Sequence, residues 1–299
     1  MSELITSAQN PKIKKLLALQ QKSSERRECG LFDVEGVREL QHCIDAGFTV
    51  DSVFIRKAVP GHSPSGKAMP TLGHFRGRGP LPSGSGRDEG EAGMSSEGLC
   101  PGTASMKIFE VSPEVYEKIA YRGSTEGVIA EVRTREMHLE DLELKENPLI
   151  MVLESVEKPG NLGAILRSAD AAGADAVIVC DPLTDLFNPN LIRSSIGGIF
   201  SVPTVVCSSE QAIRWLKANR IQILTAQLQD SSYYYDTDMR KGTAIVMGTE
   251  ATGLTDIWRE AADAHILIPM LGRLDSLNVS VSAAILLFEA VRQRSCNNG

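Results

Sequence analysis

The chain has 299 residues, 42% of them hydrophobic and 23% charged, which suits a soluble globular protein long enough for two domains and excludes a wholly disordered chain. Its formal charge of -7 excludes a uniformly basic nucleic-acid binder, because phosphate contacts need Lys and Arg. Six cysteines without a CxxC or Cys/His spacing argue against a structural metal and read as reduced thiols.

The opening residues MSELITSAQNPKIKK lack the apolar core and small-residue cleavage site of a secretory leader. Asn10-Pro11 reads as an N-cap followed by proline in the first turn of a helix, with Ile13, Leu16 and Leu17 on one face and lysines on the other. Lys12, Lys14 and Lys15 with Arg26 and Arg27 form a basic cluster, which fits RNA contact and fits a solvated helix face equally well. A second helix is expected over Glu35 to Ala46, and VDSVFI (Val50 to Ile55) alternates like a strand. These elements make a small α/β domain.

From Ala58 to Ser105 the composition breaks, since 24 of 48 residues are Gly, Pro or Ser. Such a stretch cannot bury enough apolar surface to offset its ordering, so a disordered insertion is expected. A strand over Lys107 to Val111, a helix over Pro113 to Ile119 and a strand over Val128 to Val132 complete the first domain, residues 1–133. Residues 134–148 read as a polar connector, and 149–299 as a second domain.

In that second domain short apolar strands (Leu149–Leu153, Ala176–Val179, Val202–Val206, Ile221–Thr225, Ala244–Met247, His265–Ile268) alternate with helical segments, the pattern of a parallel sheet covered on both faces. A last apolar helix runs from Val279 to Arg292, too short and too interrupted by Ser280, Ser282 and Glu289 to span a bilayer. No membrane contact and a cytoplasmic location are expected. His265, inside a strand, reads as core.

Three segments place Gly, Pro and unusual polar residues at strand ends, where open parallel sheets bind ligands: Glu154 to Gly173, Met247 to Leu254 and Ile268 to Val279. Gly160 and Gly163 do not make GxGxxG, and no GxxxxGK[ST] is present, so neither common phosphate cradle applies.

Together these segments resemble the SpoU/TrmH family of RNA ribose methyltransferases, of the knotted SPOUT superfamily. Asn161, Gly163 and Arg167 stand in its first motif, Gly248, Glu250, Gly253 and Leu254 in its second, and Ile268, Pro269, Met270, Ser276, Leu277 and Asn278 in its third. Arg193, Ser195 and Gly197 match a further segment expected to border the RNA. FDVEGVREL (Phe32 to Leu40) and EGVIAEV (Glu126 to Val132) carry a looser match to an N-terminal substrate-binding domain, and the Gly/Pro/Ser-rich insertion departs from the family pattern.

The resemblance implies an α/β fold with a trefoil-knotted C-terminal sheet domain, S-adenosyl-L-methionine as cofactor, no metal, and a homodimer through that domain. It implies methyl transfer to a ribose 2′-hydroxyl, in guanosine of large-subunit ribosomal RNA before transfer RNA. Gly248, Ile268, Met270 and Leu277 would hold the cofactor, and Arg167, Asn161, Glu250, Ser276 and Asn278 would form the catalytic group, with Arg167 as phosphate clamp. Guanidinium, with a pKa above about 12, is a poor base. Two other classes stay open: a catalytically silent RNA-binding relative, against which Asn161, Arg167 and Asn278 argue, and a small-molecule enzyme, which would bind the cofactor but no RNA.

Overall fold

The computed structural model describes residues 3–58, 106–121, 127–249 and 252–295. The chain forms two compact units, Met1–Thr134 and Arg135–Gly299. Apart from Ala58, the Gly/Pro/Ser-rich stretch lies outside the described residues.

The first unit runs β1 (Glu3–Ile5), α1 (Pro11–Gln21), α2 (Ser23–Cys29), β2 (Leu31–Glu35), α3 (Val37–Asp45), β3 (Val50–Arg56), β4 (Lys107–Val111), α4 (Pro113–Ile119) and β5 (Val128–Arg133). Asn10 caps α1 as its sequence suggests, with Oδ1 accepting from the Lys12 amide at 2.9 Å and Pro11 filling a position that needs no donor. The helix buries Ile13, Leu16 and Leu19, while Leu17 is only partly covered. The helix expected from Glu35 starts later. Glu35 ends β2, and Gly36, at φ +105°, makes a turn that side-chain-bearing residues rarely adopt.

The strands order as β1-β4-β3-β5-β2, parallel on the β1–β4–β3 side and antiparallel across β3–β5–β2. Phe54 and Phe109 meet at 5.4 Å between ring centroids in a core shared with Ile13, Leu16, Val115, Ile119 and Ile129. β2 escapes the apolar-pattern reading because it buries two acids, Asp33 and Glu35, inside LFDVE. The burial of Glu35 is tolerated through hydrogen bonding, its Oε1 accepting from the Tyr121 amide at 3.0 Å. Nearby, the buried Glu131 accepts from Ser52 Oγ at 2.9 Å.

The second unit runs β6 (Leu149–Glu154), α5 (Pro159–Ala171), β7 (Ala176–Cys180), α6 (Pro189–Ser195), α7 (Gly198–Ser201), β8 (Thr204–Cys207), α8 (Ser209–Ala218), β9 (Gln222–Ala226), β10 (Ser232–Tyr233), β11 (Thr243–Met247), α9 (Asp256–Ala261), β12 (Ala264–Leu267) and α10 (Val279–Ser295). The strands form one parallel sheet in the order β10-β12-β9-β11-β6-β7-β8. Every residue of β6, β7 and β11 is buried, as strands covered on both faces require. Trp258 of α9 is fully buried in a core that also holds Ile150, Val152, Ile178 and Val246.

Residues 134–148, read from sequence as a connector, are more than a spacer. Leu139 is buried, and Met137, Leu142 and Leu144 pack on the same core. Their apolar side chains are spaced among acids (HLEDLELKE), which hides the pattern. Arg294 near the end of α10 donates to four carbonyls, those of Asn147 (2.8 Å), Pro148 (3.2 Å), Met239 (2.9 Å) and Lys241 (2.8 Å). It thereby ties the last helix to the strand starts of β6 and β11. No helix among the described residues is long and apolar enough to cross a membrane.

Candidate active site

The first motif folds as the loop after β6 and the start of α5. Its glycine has a steric reason: a Cβ on Gly163 would lie 1.9 Å from Ser194 Oγ and 2.8 Å from the Ser195 amide. Only a bare backbone lets α5 approach α6 that closely. Asn161 lies half-buried in the first turn of α5. Arg167 follows six residues later, about 9 Å further along the helix axis. It is exposed and makes no hydrogen bond or ion pair among the described residues.

The second motif leaves β11 at Gly248 and doubles back. Thr249 and Gly253 form a two-residue bridge, with the Gly253 amide donating to the Thr249 carbonyl at 3.1 Å. A Cβ on Gly248 would fall 2.2 Å from the Gly253 carbonyl oxygen, so the neck of this loop closes only with glycine. Thr249 and Thr252 hydroxyls sit 2.8 Å apart across it. Glu250 lies outside the described residues.

The third motif leaves β12. Ile268 and Met270 are half-buried, whereas Ser276, Leu277 and Asn278 are exposed. Asn278 precedes α10 and caps it, its Oδ1 accepting from the Ser280 amide at 3.0 Å and the Ser280 hydroxyl at 2.6 Å. Its Nδ2 donates to Asn161 Oδ1 at 3.2 Å. The first and third motifs therefore touch. Ser276 bonds Asp275 at 3.4 Å. Arg193, on α6, donates to Asn190 Oδ1 at 2.8 Å. Ser195 is buried, and Gly197 takes a left-handed turn at φ +87°.

β9 lies between β11 and β12 in the sheet, so the Gly248 and Ile268 backbones leave strands about 10 Å apart. Between them, just past the end of β9, stands Gln227, which sequence reasoning passed over. Its Oε1 is buried and has no hydrogen-bond partner among the described residues, while its Nε2 donates to the Gln229 carbonyl at 2.9 Å. An orphaned buried acceptor costs about 1–3 kcal/mol. Half-buried apolar side chains, open loop backbone and a waiting acceptor at one sheet edge fit a nucleoside-bearing cofactor with its own N–H and O–H donors. The residues present fit such a group. His265, taken from sequence as core, is half-buried and bonded to Thr225 Oγ1 at 2.6 Å. No cluster of metal-ligating side chains occurs among the described residues.

Beside this edge β7 and β8 bring two thiols together. Cys180 and Cys207 are register partners in the parallel pair. A hydrogen bond between the thiols pushes Cys180 up and holds Cys207 down. No sequence spacing signals this pair, because 26 residues separate its members.

A parallel sheet whose strand-end loops converge from three sequence segments defines an α/β crevice enzyme. Comparison with known proteins narrows the class. Residues 148–288 match the SpoU rRNA Methylase family and residues 10–73 the MRM3-like substrate binding domain. The chain is 40% identical over 176 residues to the 23S rRNA (guanosine-2'-O-)-methyltransferase RlmB of Escherichia coli, covering 57% of this chain and 72% of that protein. It is 35% identical over 173 residues to the 23S rRNA (uridine(2479)-2'-O)-methyltransferase of Streptomyces viridochromogenes, covering 56% of this chain and 60% of that one. The AdoMet-bound rRNA methyltransferase of Sinorhizobium meliloti superposes with a TM-score of 0.78 at 28% identity, over 97% of this chain and 98% of that one. The chain belongs to the SpoU family of RNA methylases.

Proposed function

We propose that this protein transfers a methyl group from S-adenosyl-L-methionine to a ribose 2′-hydroxyl of ribosomal RNA, with guanosine in the large subunit as target. The observation that carries the reading is the Asn278–Asn161 hydrogen bond. It joins two of the three motif segments at the C-terminal edge of a parallel sheet, in a chain whose relatives are named for this reaction. The target base rests on the Escherichia coli relative, and the uridine enzyme of Streptomyces marks the competing choice.

In this reading the loops at Gly248, Ile268, Met270 and Leu277 hold the cofactor, and Gln227 Oε1 takes one of its donors. When bound, the cofactor supplies an electrophilic methyl carbon. The chain supplies the alignment of the ribose oxygen with it, an effect worth about 7–11 kcal/mol in favourable cases. Arg167, exposed and uncommitted, clamps an RNA phosphate and stabilises charge gathering on the 2′-oxygen. Asn161 and Asn278 orient the substrate side of the loop, Ser276 fixes its turn, and Glu250 completes the group. The unit Met1–Thr134 binds RNA, using the exposed Lys14, Lys22 and Arg27 of the α1–α2 surface.

A homodimer through the second unit is part of the proposal. Val281 and Phe288, seven residues apart on α10, are each about half exposed, and Leu271 and Leu274 in the preceding loop are more so. Such an apolar surface is suited to a second copy. A trefoil knot at the third motif and a cytosolic setting belong to the same reading. It is supported by α10 returning to pack on α5, β6 and β11 and by four free cysteines among the described residues.

The test is transfer of a labelled methyl group to unmodified large-subunit ribosomal RNA and to transfer RNA, beside Arg167→Ala. Label in ribosomal RNA that the variant loses supports the reading, and label confined to transfer RNA overturns the substrate. No label in either, from folded protein that binds the cofactor, overturns the activity. Light scattering of the eluted protein tests the dimer.

A further inference from the structure

We propose that Glu154 is a positioning residue for the cofactor loop, acting through Thr255. This rests on the cofactor reading above. Glu154 ends β6 with its side chain only 4% exposed. Its Oε2 accepts from the Thr255 amide at 2.9 Å, and its Oε1 accepts from the Thr255 hydroxyl at 2.6 Å. Both donors belong to one residue, two positions beyond Gly253, where the second-motif loop closes on Gly248. The carboxylate therefore fixes the returning arm of that loop to the strand from which the first motif leaves.

The anchor is itself braced. Ser209, at the start of α8, donates its hydroxyl to Asp181 Oδ2 at 2.8 Å, with Glu154 Oε1 next at 3.4 Å. Its amide also donates to Asp181 Oδ2 at 3.1 Å, and its hydroxyl oxygen accepts from the Trp258 indole at 3.1 Å. Strand ends β6 and β7 and the starts of α8 and α9 are thus held in one buried network, which rigidifies when every member is satisfied. An acid placed only to end a strand would face water. Glu154 is instead buried with both oxygens on Thr255, two residues past the glycine that closes the loop on Gly248. Carboxylate acceptors form bonds to backbone amides about twice as strong as neutral ones, so the returning arm of the loop at Thr255 is set before any ligand arrives. Preorganised contacts of this kind raise affinity by lowering the cost of ordering on binding.

The experiment compares wild type, Glu154→Gln, Thr255→Val and Thr255→Ser. Amide hydrogen exchange is followed at Gly253 and Thr255 without cofactor, and S-adenosylmethionine affinity is measured by calorimetry. Glu154→Gln keeps the shape but loses one acceptor. It is expected to speed exchange at both amides about tenfold and to weaken cofactor affinity about tenfold, while exchange in α10 and β7 stays as in wild type. Thr255→Val is expected to give about a threefold loss, and Thr255→Ser, which keeps both donors, to restore wild-type values. Unchanged exchange and affinity in Glu154→Gln overturn the proposal. So does faster exchange spread evenly over the second unit, since that marks a general loss of stability. If wild type itself fails to bind S-adenosylmethionine, the cofactor reading falls, while the exchange result still decides whether Glu154 holds the loop.

Discussion

Asn278 donates to the amide oxygen of Asn161 at 3.2 Å across 117 positions of sequence, so the first turn of α5 and the residue that caps α10 act as one hydrogen-bonded unit. Neither is replaceable by the other's neighbours. Substituting either by Ala should lower methyl transfer about tenfold or more. The double variant should lose little beyond the worse single one, a coupling of about 1 kcal/mol or more. Strictly additive losses in a double-mutant cycle would show that the contact is not used as a unit.

Arg167 is the reverse case, because it holds nothing in place. Arg167→Ala should therefore leave the melting temperature within about 2 °C of wild type while lowering turnover about a hundredfold or more. Arg167→Lys keeps the charge but not the planar fork and should recover only part of the loss. Full activity in the Lys variant would remove the bidentate clamp from the scheme.

Gln227 offers a direct reading of the cofactor's position. Replacing it with Leu removes the orphaned acceptor and its penalty together with the Nε2 bond to Gln229, so the two effects oppose and the free protein should melt within about 2 °C of wild type. Cofactor affinity should fall about fivefold if Oε1 meets a donor of the ligand. Titration calorimetry gives the second number, and no change in it would assign Gln227 to the surroundings of the site.

Thiol chemistry should separate Cys207 from Cys180. The shared hydrogen bond and burial push Cys180 up, while the same bond holds Cys207 down, and thiolates are the alkylating species. Under limiting iodoacetamide near neutral pH, mass spectrometry of the folded protein should find Cys207 labelled well before Cys180, and Cys43, raised by burial, protected like Cys180. Equal labelling of the pair would contradict the hydrogen bond between them.

Glu289 on α10 makes the acid dependence of stability testable. Arg292 bonds both its oxygens at 2.7 and 2.8 Å and holds the carboxyl below its usual range against the opposing effect of burial, with Gln293 adding a further donor at 2.8 Å. A depressed folded-state value means that this contribution is fully present above the unfolded value, about 4.3, and is lost as pH falls through the lower, folded one. Denaturant unfolding of Glu289→Gln should show a loss of about 1–3 kcal/mol at pH 7. The gap to wild type should narrow as the pH falls below the unfolded-state value of about 4.3.

Most strands of the second unit could be read from sequence because their residues are buried on both faces and spelled as unbroken apolar runs, as in Leu149–Glu154 and Ala176–Cys180. In the first unit, β2 was hidden by Asp33 and Glu35, whose burial depends on partners far along the chain, such as Tyr121. β10 has two residues and no period to detect. The same limit separates the site residues. Asn161, Gly248 and Asn278 sit in motif segments with unusual composition, whereas Glu154 ends an ordinary strand and Gln227 follows one. Their significance lies in what faces them, Thr255 for one and no partner for the other, and side-chain identity alone carries neither fact.

The four carbonyls gathered by Arg294 make completion of the second unit depend on a residue translated late. β6 and β11 precede residue 294 in the chain, so until it is made those strand starts lack their cation and α10 is absent from their face. The second unit is completed from its far end, and a chain stalled before Arg294 should carry an open sheet that remains a chaperone substrate until the last helix arrives.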